Sequence, residues 1–350
     1  MRKAILPLFG ALAMMTWSCS DQMQDSVEGN QIEALSAAGG NGNGNAYGLL
    51  RNCSSNDVLN RQLNQNPGMA RKMQLIEEHT ARFVNGKKPD GSGGGKPGGG
   101  SGGGGDTPTP YTGTVTIPVY VHVLYNTAQE NISQAQIDSQ IRILNEDFGA
   151  TNSDLNPPAE FAGVVADSEI QFVLADVTYK QSSKTSWGTN DAMKKSSQGG
   201  IDPITPDKAL NIWVCNIGNG ILGYAQFPGG SPDTDGVVIG TPYFGDTGYV
   251  SAPFDKGRTG THEVGHWLNL RHIWGDGRCR ADDFVADTPT SDRSNYGCPS
   301  YPTEHCRSND MTMNYMDYTN DECMYMFTEG QKARMRALFA AGGVRESIVL

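Results

Sequence analysis

The sequence is short of positive charge. Against 38 Asp+Glu it sets only 27 Lys+Arg, a formal net charge of −11 over 350 residues. A nucleic-acid binder needs a dense basic face to neutralise phosphates, and this deficit excludes that class. Long apolar runs are missing beyond the extreme N-terminus, so no segment of the mature chain is expected to cross a bilayer. Hydrophobic residues reach only 37%, but 44 glycines, many of them in one tract, dilute that figure. Histidine is scarce too, at six, which makes its distribution informative. What remains is an acidic, exported protein with room for about two domains.

Arg2 and Lys3 precede the apolar stretch Ala4–Trp17, which ends in Ser18-Cys19-Ser20. A basic start, an apolar core too short to span a membrane and a small residue before the break read as a secretory signal over residues 1–19. Cleavage after Ser18 would expose Cys19 for lipid attachment; the alternative is an ordinary cysteine lost with the signal. Either way the protein is expected to be secreted or held at the cell surface, where disulfides persist. Membrane contact is expected only through Cys19.

Residues 20–90 begin polar and rich in Gly-Asn, a composition expected to be disordered. A compact stretch follows from about Tyr47 to Lys88. Its Val58, Leu59, Leu63, Met69, Met73, Leu75 and Ile76 predict one or two short helices broken at Pro67-Gly68. About 40 residues bury too little surface to fold alone, so this stretch should pack on something else. Residues 91–106, dominated by Gly and Ser, read as a flexible tether.

The large domain spans 107–350. Ile117–Tyr125 alternates and is β-rich, and Ile170–Tyr179, Leu210–Ile217 and Gly236–Ile239 read as further strands. Leu222–Phe227 suggests an edge strand ahead of Pro228. Ser133 can cap a helix whose apolar face is Ile137, Ile141 and Leu144. This order predicts an α+β fold, a mixed twisted sheet with helices packed on it. After Gly275 the chain turns irregular and rich in Cys, Asp, Gly and Pro until a last helix over about Thr328–Phe339.

Half of the histidines fall within eleven residues, in His262-Glu263-Val264-Gly265-His266-Trp267-Leu268-Asn269-Leu270-Arg271-His272. On a helix, positions i and i+4 share a face, so His262 and His266 can bind one metal ion. Glu263, offset by about 100°, can reach a water on that ion. A catalytic zinc needs a third protein ligand and an open position. His272 is out of phase with a straight helix, so the chain must turn back before it, and Asn269 suits a left-handed turn. Met313-Asn314-Tyr315-Met316-Asp317-Tyr318 follows downstream.

This histidine motif with a later methionine turn resembles the metzincin metallopeptidases. Asn269 at the usual glycine position, the context around it, Asp287-Thr288-Pro289 and Asn314–Tyr318 are similar to one branch of them, the pappalysin family. The resemblance implies a metzincin catalytic domain with a backing helix, an active-site helix and an irregular C-terminal subdomain, preceded by a small propeptide. It implies that His262, His266 and His272 bind zinc and that Glu263 is general base and acid. Met316 would form the floor beneath the metal, and Tyr318 would lend its hydroxyl to the metal or to the oxyanion. The implied function is a secreted zinc endopeptidase acting on proteins or peptides and made as a latent zymogen. A non-catalytic adhesin on the same scaffold and a zinc hydrolase of non-peptide substrates are the alternatives, and the oligomeric state stays open.

Seven cysteines then divide. Cys215 lies in a predicted buried strand and Cys19 at the processing site. Cys279, Cys298, Cys306 and Cys323 allow three pairings, or a second zinc site. The family resemblance implies Cys279–Cys306 and Cys298–Cys323. It also implies structural calcium at Asp283, Asp287 and Thr288, with Asp276, Asp282 and Asp292 nearby, oxygen donors of the kind calcium takes; a solvated acidic loop is the alternative. Cys53 offers a thiolate for the open zinc position, and the segment around it resembles the family's propeptide; an incidental free cysteine is the alternative. For the residue after the cut, the resemblance implies a preference for Arg, with Glu322 as its carboxylate partner and Asp321 as second choice.

Overall fold

The computed structural model of the protein describes residues 50–84 and 110–350. The signal region with Cys19, the Gly-Asn stretch and the glycine tether lie outside the described residues. Among the described residues no helix is long and apolar enough to cross a membrane.

The large domain is built on a five-stranded sheet. Its strands are β1 (Val115–Tyr125), β2 (Ile170–Gln181), β3 (Leu210–Cys215), β4 (Gly223–Ala225) and β5 (Val237–Gly240), in spatial order β2-β1-β3-β5-β4. Four strands run parallel, and β4 is the antiparallel edge strand paired Tyr224 to Val238. The strand expectations therefore hold, with β4 shorter than the stretch read from the sequence.

Alternation explains how the sheet is covered. Val115, Ile117, Val119, Val121 and Val123 of β1 all point to one face, as a period of two requires. That face packs on two helices, one long and one short. The long one spans Gln134–Phe148, with Ser133 accepting the Gln136 amide as its N-cap. It contributes Ile137, Leu144 and Phe148, and the short one, Arg258–Trp267, contributes Val264 and Trp267, to the same core. The opposite face carries Trp213, Cys215, Tyr224 and Val238 against Trp187 and Met193. Cys215 is a buried free thiol, as expected.

Beyond Gly275 the chain is mostly irregular, with only two-residue strand pairs before the last helix, Glu329–Ala337. Thr328 and Gln331 close a reciprocal capping box at its start. Two disulfides, Cys279–Cys306 and Cys298–Cys323, staple this stretch, and the alternative of a second cysteine zinc site does not stand. Each closes a short loop where little apolar core is available.

The N-terminal segment folds as two helices, Ser55–Gln65 and Pro67–Thr80, broken at Asn66, whose side chain accepts the Gly68 amide. Numbered in chain order among the described residues, the α-helices are α1 (Ser55–Gln65), α2 (Pro67–Thr80), α3 (Gln134–Phe148), α4 (Arg258–Trp267) and α5 (Glu329–Ala337). Leu59, Met69 and Met73 close over Phe227, and Val58 reaches the core around Trp213. Leu75, expected on the apolar face, is instead about half exposed, at 48%.

Candidate active site

Helix α4 is buried along its whole length, which is unusual for a stretch with two histidines and a glutamate. Buried polar side chains need partners, and the pattern of partners here is informative. His262 Nδ1 lies 2.7 Å from the Tyr315 carbonyl and His266 Nδ1 lies 2.8 Å from the Leu270 carbonyl. After Trp267 the chain reverses through Asn269, which adopts φ 72°, the left-handed turn expected there. The reversal brings His272 back, with its Nδ1 on the Asp276 carboxylate. Each ring is thus held through Nδ1, leaving Nε2 to face its neighbours. His266 and His272 Nε2 atoms lie 3.1 Å apart, and the buried His262 Nε2 has no hydrogen-bond partner. Burial, reinforced by the neighbouring rings, holds the His262 and His266 imidazoles well below the usual range and therefore neutral.

One ligand atom from each of these histidines and the Cys53 sulfur lie within 4.8 Å of one another. Three imidazoles anchored through Nδ1 and converging on a buried point are a donor set suited to zinc. The residues fit the ion.

Segment 50–84 crosses this point. Leu222 donates its amide to the Asn52 carbonyl at 2.9 Å, and Ser54 donates to the Gly223 carbonyl at 3.1 Å, so the segment runs parallel to β4. Ser54 follows Cys53 with φ −99°, a conformation any residue adopts. Ser55 Oγ donates to Glu263 Oε2 at 2.8 Å while accepting the Ala225 amide at 2.8 Å. Cys53 Sγ lies 3.4 Å from the same carboxylate oxygen. Burial pushes the Glu263 carboxyl up to about 7, with Ser55 and Cys53 opposing the shift. Burial and then the Glu263 charge push the Cys53 thiol well above its ordinary value.

The edge strand approaches closely because it has no side chain to interpose. A Cβ on Gly223 would lie 2.9 Å from Glu263 Cγ. On the other side of α4, a Cβ on Gly265 would meet the Met316 sulfur at 2.5 Å. Met316 is fully buried there. The Tyr318 ring lies tilted against His262 and edge-on to His272, and its hydroxyl donates to the Cys53 carbonyl at 3.3 Å.

The two acidic residues after the methionine turn exchange places relative to expectation. Asp321 is wholly buried, accepting from Arg51 Nη2 at 2.5 Å and from the Lys256 and Arg258 amides. Glu322 is exposed beside the Cys298–Cys323 disulfide. The turn over Asp321–Cys323 is a tight helical one, in which successive side chains diverge, so only one of the two can point inward.

The acidic loop is also divided. Thr288 Oγ1 lies 2.6 Å from Asp283 Oδ2 and 3.0 Å from the Val285 carbonyl. Asp287 is directed elsewhere, accepting from Thr328 Oγ1 and the Gly330 amide at the start of α5. That is a helix N-terminus, where a carboxylate is stabilised.

Three partnerships escaped sequence reasoning: Arg51 on Asp321, Ser55 on Glu263 and Asp276 on His272. Asp276 alone carried a local signal, four residues after His272.

Comparisons with known proteins bear on this geometry. The family model described as Peptidase_M43, pregnancy-associated plasma protein-A, matches residues 202–340. An extracellular metalloprotease of Arthroderma otae is 32% identical over 241 residues, 66% of this chain and 80% of the relative. Extracellular metalloprotease 1 of Coccidioides posadasii is 33% identical over 241 residues, 64% of this chain and 77% of the relative. Among solved structures, mature mirolysin of Tannerella forsythia with a cleaved peptide superposes with TM-score 0.66 at 47% identity, over 68% of this chain and 96% of that one. A promirolysin mutant from the same organism superposes with TM-score 0.72 at 40% identity, over 85% of this chain and 97% of that one.

Proposed function

Because the chain belongs to the pregnancy-associated plasma protein-A (Peptidase_M43) family and is a zinc metalloendopeptidase, we propose that His262, His266 and His272 hold its zinc and that Glu263 moves the protons. The observation that carries this reading is the convergence of three Nδ1-anchored imidazoles beside one buried carboxylate.

When bound there, zinc supplies a Lewis acid that acidifies water toward ~7 and polarises the scissile carbonyl. Glu263 Oε2 takes a proton from the attacking water and returns it to the leaving amine. Once the segment has left, the Tyr318 hydroxyl loses the Cys53 carbonyl and is available to donate to the developing oxyanion. Met316 supports α4 from beneath, in contact with Gly265. The backbone groups of Leu222, Gly223 and Ala225 that now bind the segment are those an extended substrate would pair with.

In the precursor, Cys53 would serve with the three histidines as a donor to the ion, and the Ser55 hydroxyl, donating to Glu263 Oε2, keeps that oxygen from taking a proton from water. Latency then has two parts, a sulfur and a hydroxyl. Arg51 on Asp321 supports a preference for Arg on the leaving-group side, with Asp321 rather than Glu322 as its partner. A guanidinium fork suits a buried carboxylate better than an ammonium does. We propose calcium at Asp283 and Thr288 with the Val285 carbonyl, without Asp287, on the strength of that oxygen cluster. The names of the relatives support export, and with it the secretory reading of residues 1–19; lipid attachment at Cys19 is proposed from the residues around it alone.

The test is Glu263→Ala in the mature enzyme. Zinc should stay bound at one equivalent while cleavage of denatured protein disappears. An active variant would remove Glu263 from the mechanism.

A further inference from the structure

The C-terminal end of the segment makes a contact that the zinc site does not explain. Glu77 of α2 accepts from Arg334 Nη2 at 2.5 Å and lies 4.0 Å from Arg271 Nη2. Among the described residues, Glu77 is the only carboxylate paired with either arginine. Both guanidinium groups are fixed in place by the body of the protein. Arg334 Nε donates to the Asn269 carbonyl at 2.7 Å, at the turn that ends the active-site helix. Arg271 lies over the Phe227 ring at 4.5 Å, and that ring lies 5.1 Å from His266. Arg271 Nε is buried without a hydrogen-bond partner.

Two buried like charges repel, and each loses hydration. Departure of residues 50–84 takes away the carboxylate and leaves the pair. The pair stands at a defined place along the cleft. Cys53 pairs with Gly223, and Phe227 lies four residues further along the chain. At ~3.3 Å per residue that is about 13 Å from the point of cutting. It is also the end of β4 opposite to Asp321.

Resting on the peptidase reading and its leaving-group side, we propose that Arg271 and Arg334 form a subsite of the mature enzyme for an acidic side chain of the substrate. The acid would stand about three or four residues before the cut, on Phe227. In the precursor, Glu77 occupies this subsite, as Arg51 occupies Asp321. The segment thus fills both ends of the cleft with side chains of the sign that each end accepts.

The experiment uses mature enzyme and a peptide set with Arg after the cut and Glu, Gln or Lys at the third or fourth position before it. Glu should give a kcat/KM about three- to tenfold above Gln, with Lys lowest, chiefly through KM. The advantage should shrink as salt rises from 0.05 to 0.5 M. Arg271→Gln should bring the Glu-to-Gln ratio to one at unchanged zinc content, and Arg334→Lys should reduce it. Equal cleavage of all three peptides by the parent enzyme would overturn the subsite. Cleavage of none of them would instead overturn the peptidase reading beneath it.

Discussion

Residues 110–350 and the segment 50–84 are held by opposite kinds of contact. The larger part is fixed by apolar burial on both faces of a five-stranded sheet, shared among dozens of side chains. The segment has one small apolar cluster over Phe227, with Val58 in the core around Trp213 and Ile76 against the main core, and beside these a row of single polar contacts. Those contacts are Arg51 to Asp321, Cys53 beside the histidines, Ser55 to Glu263, Arg61 to Asp191 and Glu77 to Arg334. Distributed burial tolerates the loss of any one member. A row of point contacts does not, and all but Arg61 to Asp191 land on groups that the proposed cleft would use. On the proposed reading the segment can leave with the sheet's own strand pairing intact, and it is specific because most of its partners are groups the cleft would use.

The sharpest way to separate the two regions is Glu263→Ala, which should leave the body folded yet lower activity by roughly 10²–10⁴-fold or more. A matching fall in melting temperature would mean that Glu263 belongs to the architecture rather than the cleft. Next in size is Asp321→Asn, which keeps the shape and removes the charge facing Arg51. Discrimination between Arg and neutral residues after the cut should fall by on the order of 10²-fold, the scale of an unpaired buried charge. Glu322→Gln, at the surface, should change it less than about twofold. The reverse ranking in a peptide library would restore Glu322.

Cys53→Ala tests whether the point contacts act separately. The precursor should show early activity and faster loss of the segment, with Ser55→Ala giving the same direction more weakly. If Cys53→Ala matures on the parent's schedule, the helices block the cleft by bulk alone. On the body, a calcium-selective chelator should lower the melting temperature by several degrees at constant zinc content, since an ion bound only to the native state stabilises it by mass action. An unchanged melting temperature would remove calcium from Asp283 and Thr288.

The smallest expected effect is a pH slope. Burial pushes the Asp317 carboxyl from 3.8 up to about 7. The folded form then holds this proton more tightly than the unfolded form does. Its contribution to stability is full below pH 3.8 and is lost as pH rises to about 7. Asp317→Asn should flatten that part of the stability profile, and superimposable profiles for variant and parent would contradict it.

Legibility in the sequence followed the range of the interactions. Period-two alternation in β1 and the spacing of His262 and His266 are local, and both were readable. So was the turn at Asn269, because the phase mismatch with His272 demanded one. The disulfide pairing came from family resemblance, since spacing alone left three choices. Arg51 on Asp321 spans 270 residues, and Ser55 on Glu263 spans 208. Neither leaves a local pattern, because a single polar contact has no period. Asp321 and Glu322 differ only in which way a tight turn points them, and the turn is set by the packing around Arg258.

Gly223 and Gly265 set a limit on how this enzyme can diversify. At both positions even a methyl group would collide, in one case with the glutamate and in the other with the sulfur beneath the helix. The two sites thus behave as hard walls in sequence space, one on each side of α4. Variants that retune the cleft are open at its two ends, at the proposed subsites of Asp321 and Arg271. A library randomised at positions 223, 265, 271 and 321 should accordingly return new specificities from the last two and an unbroken glycine at the first two.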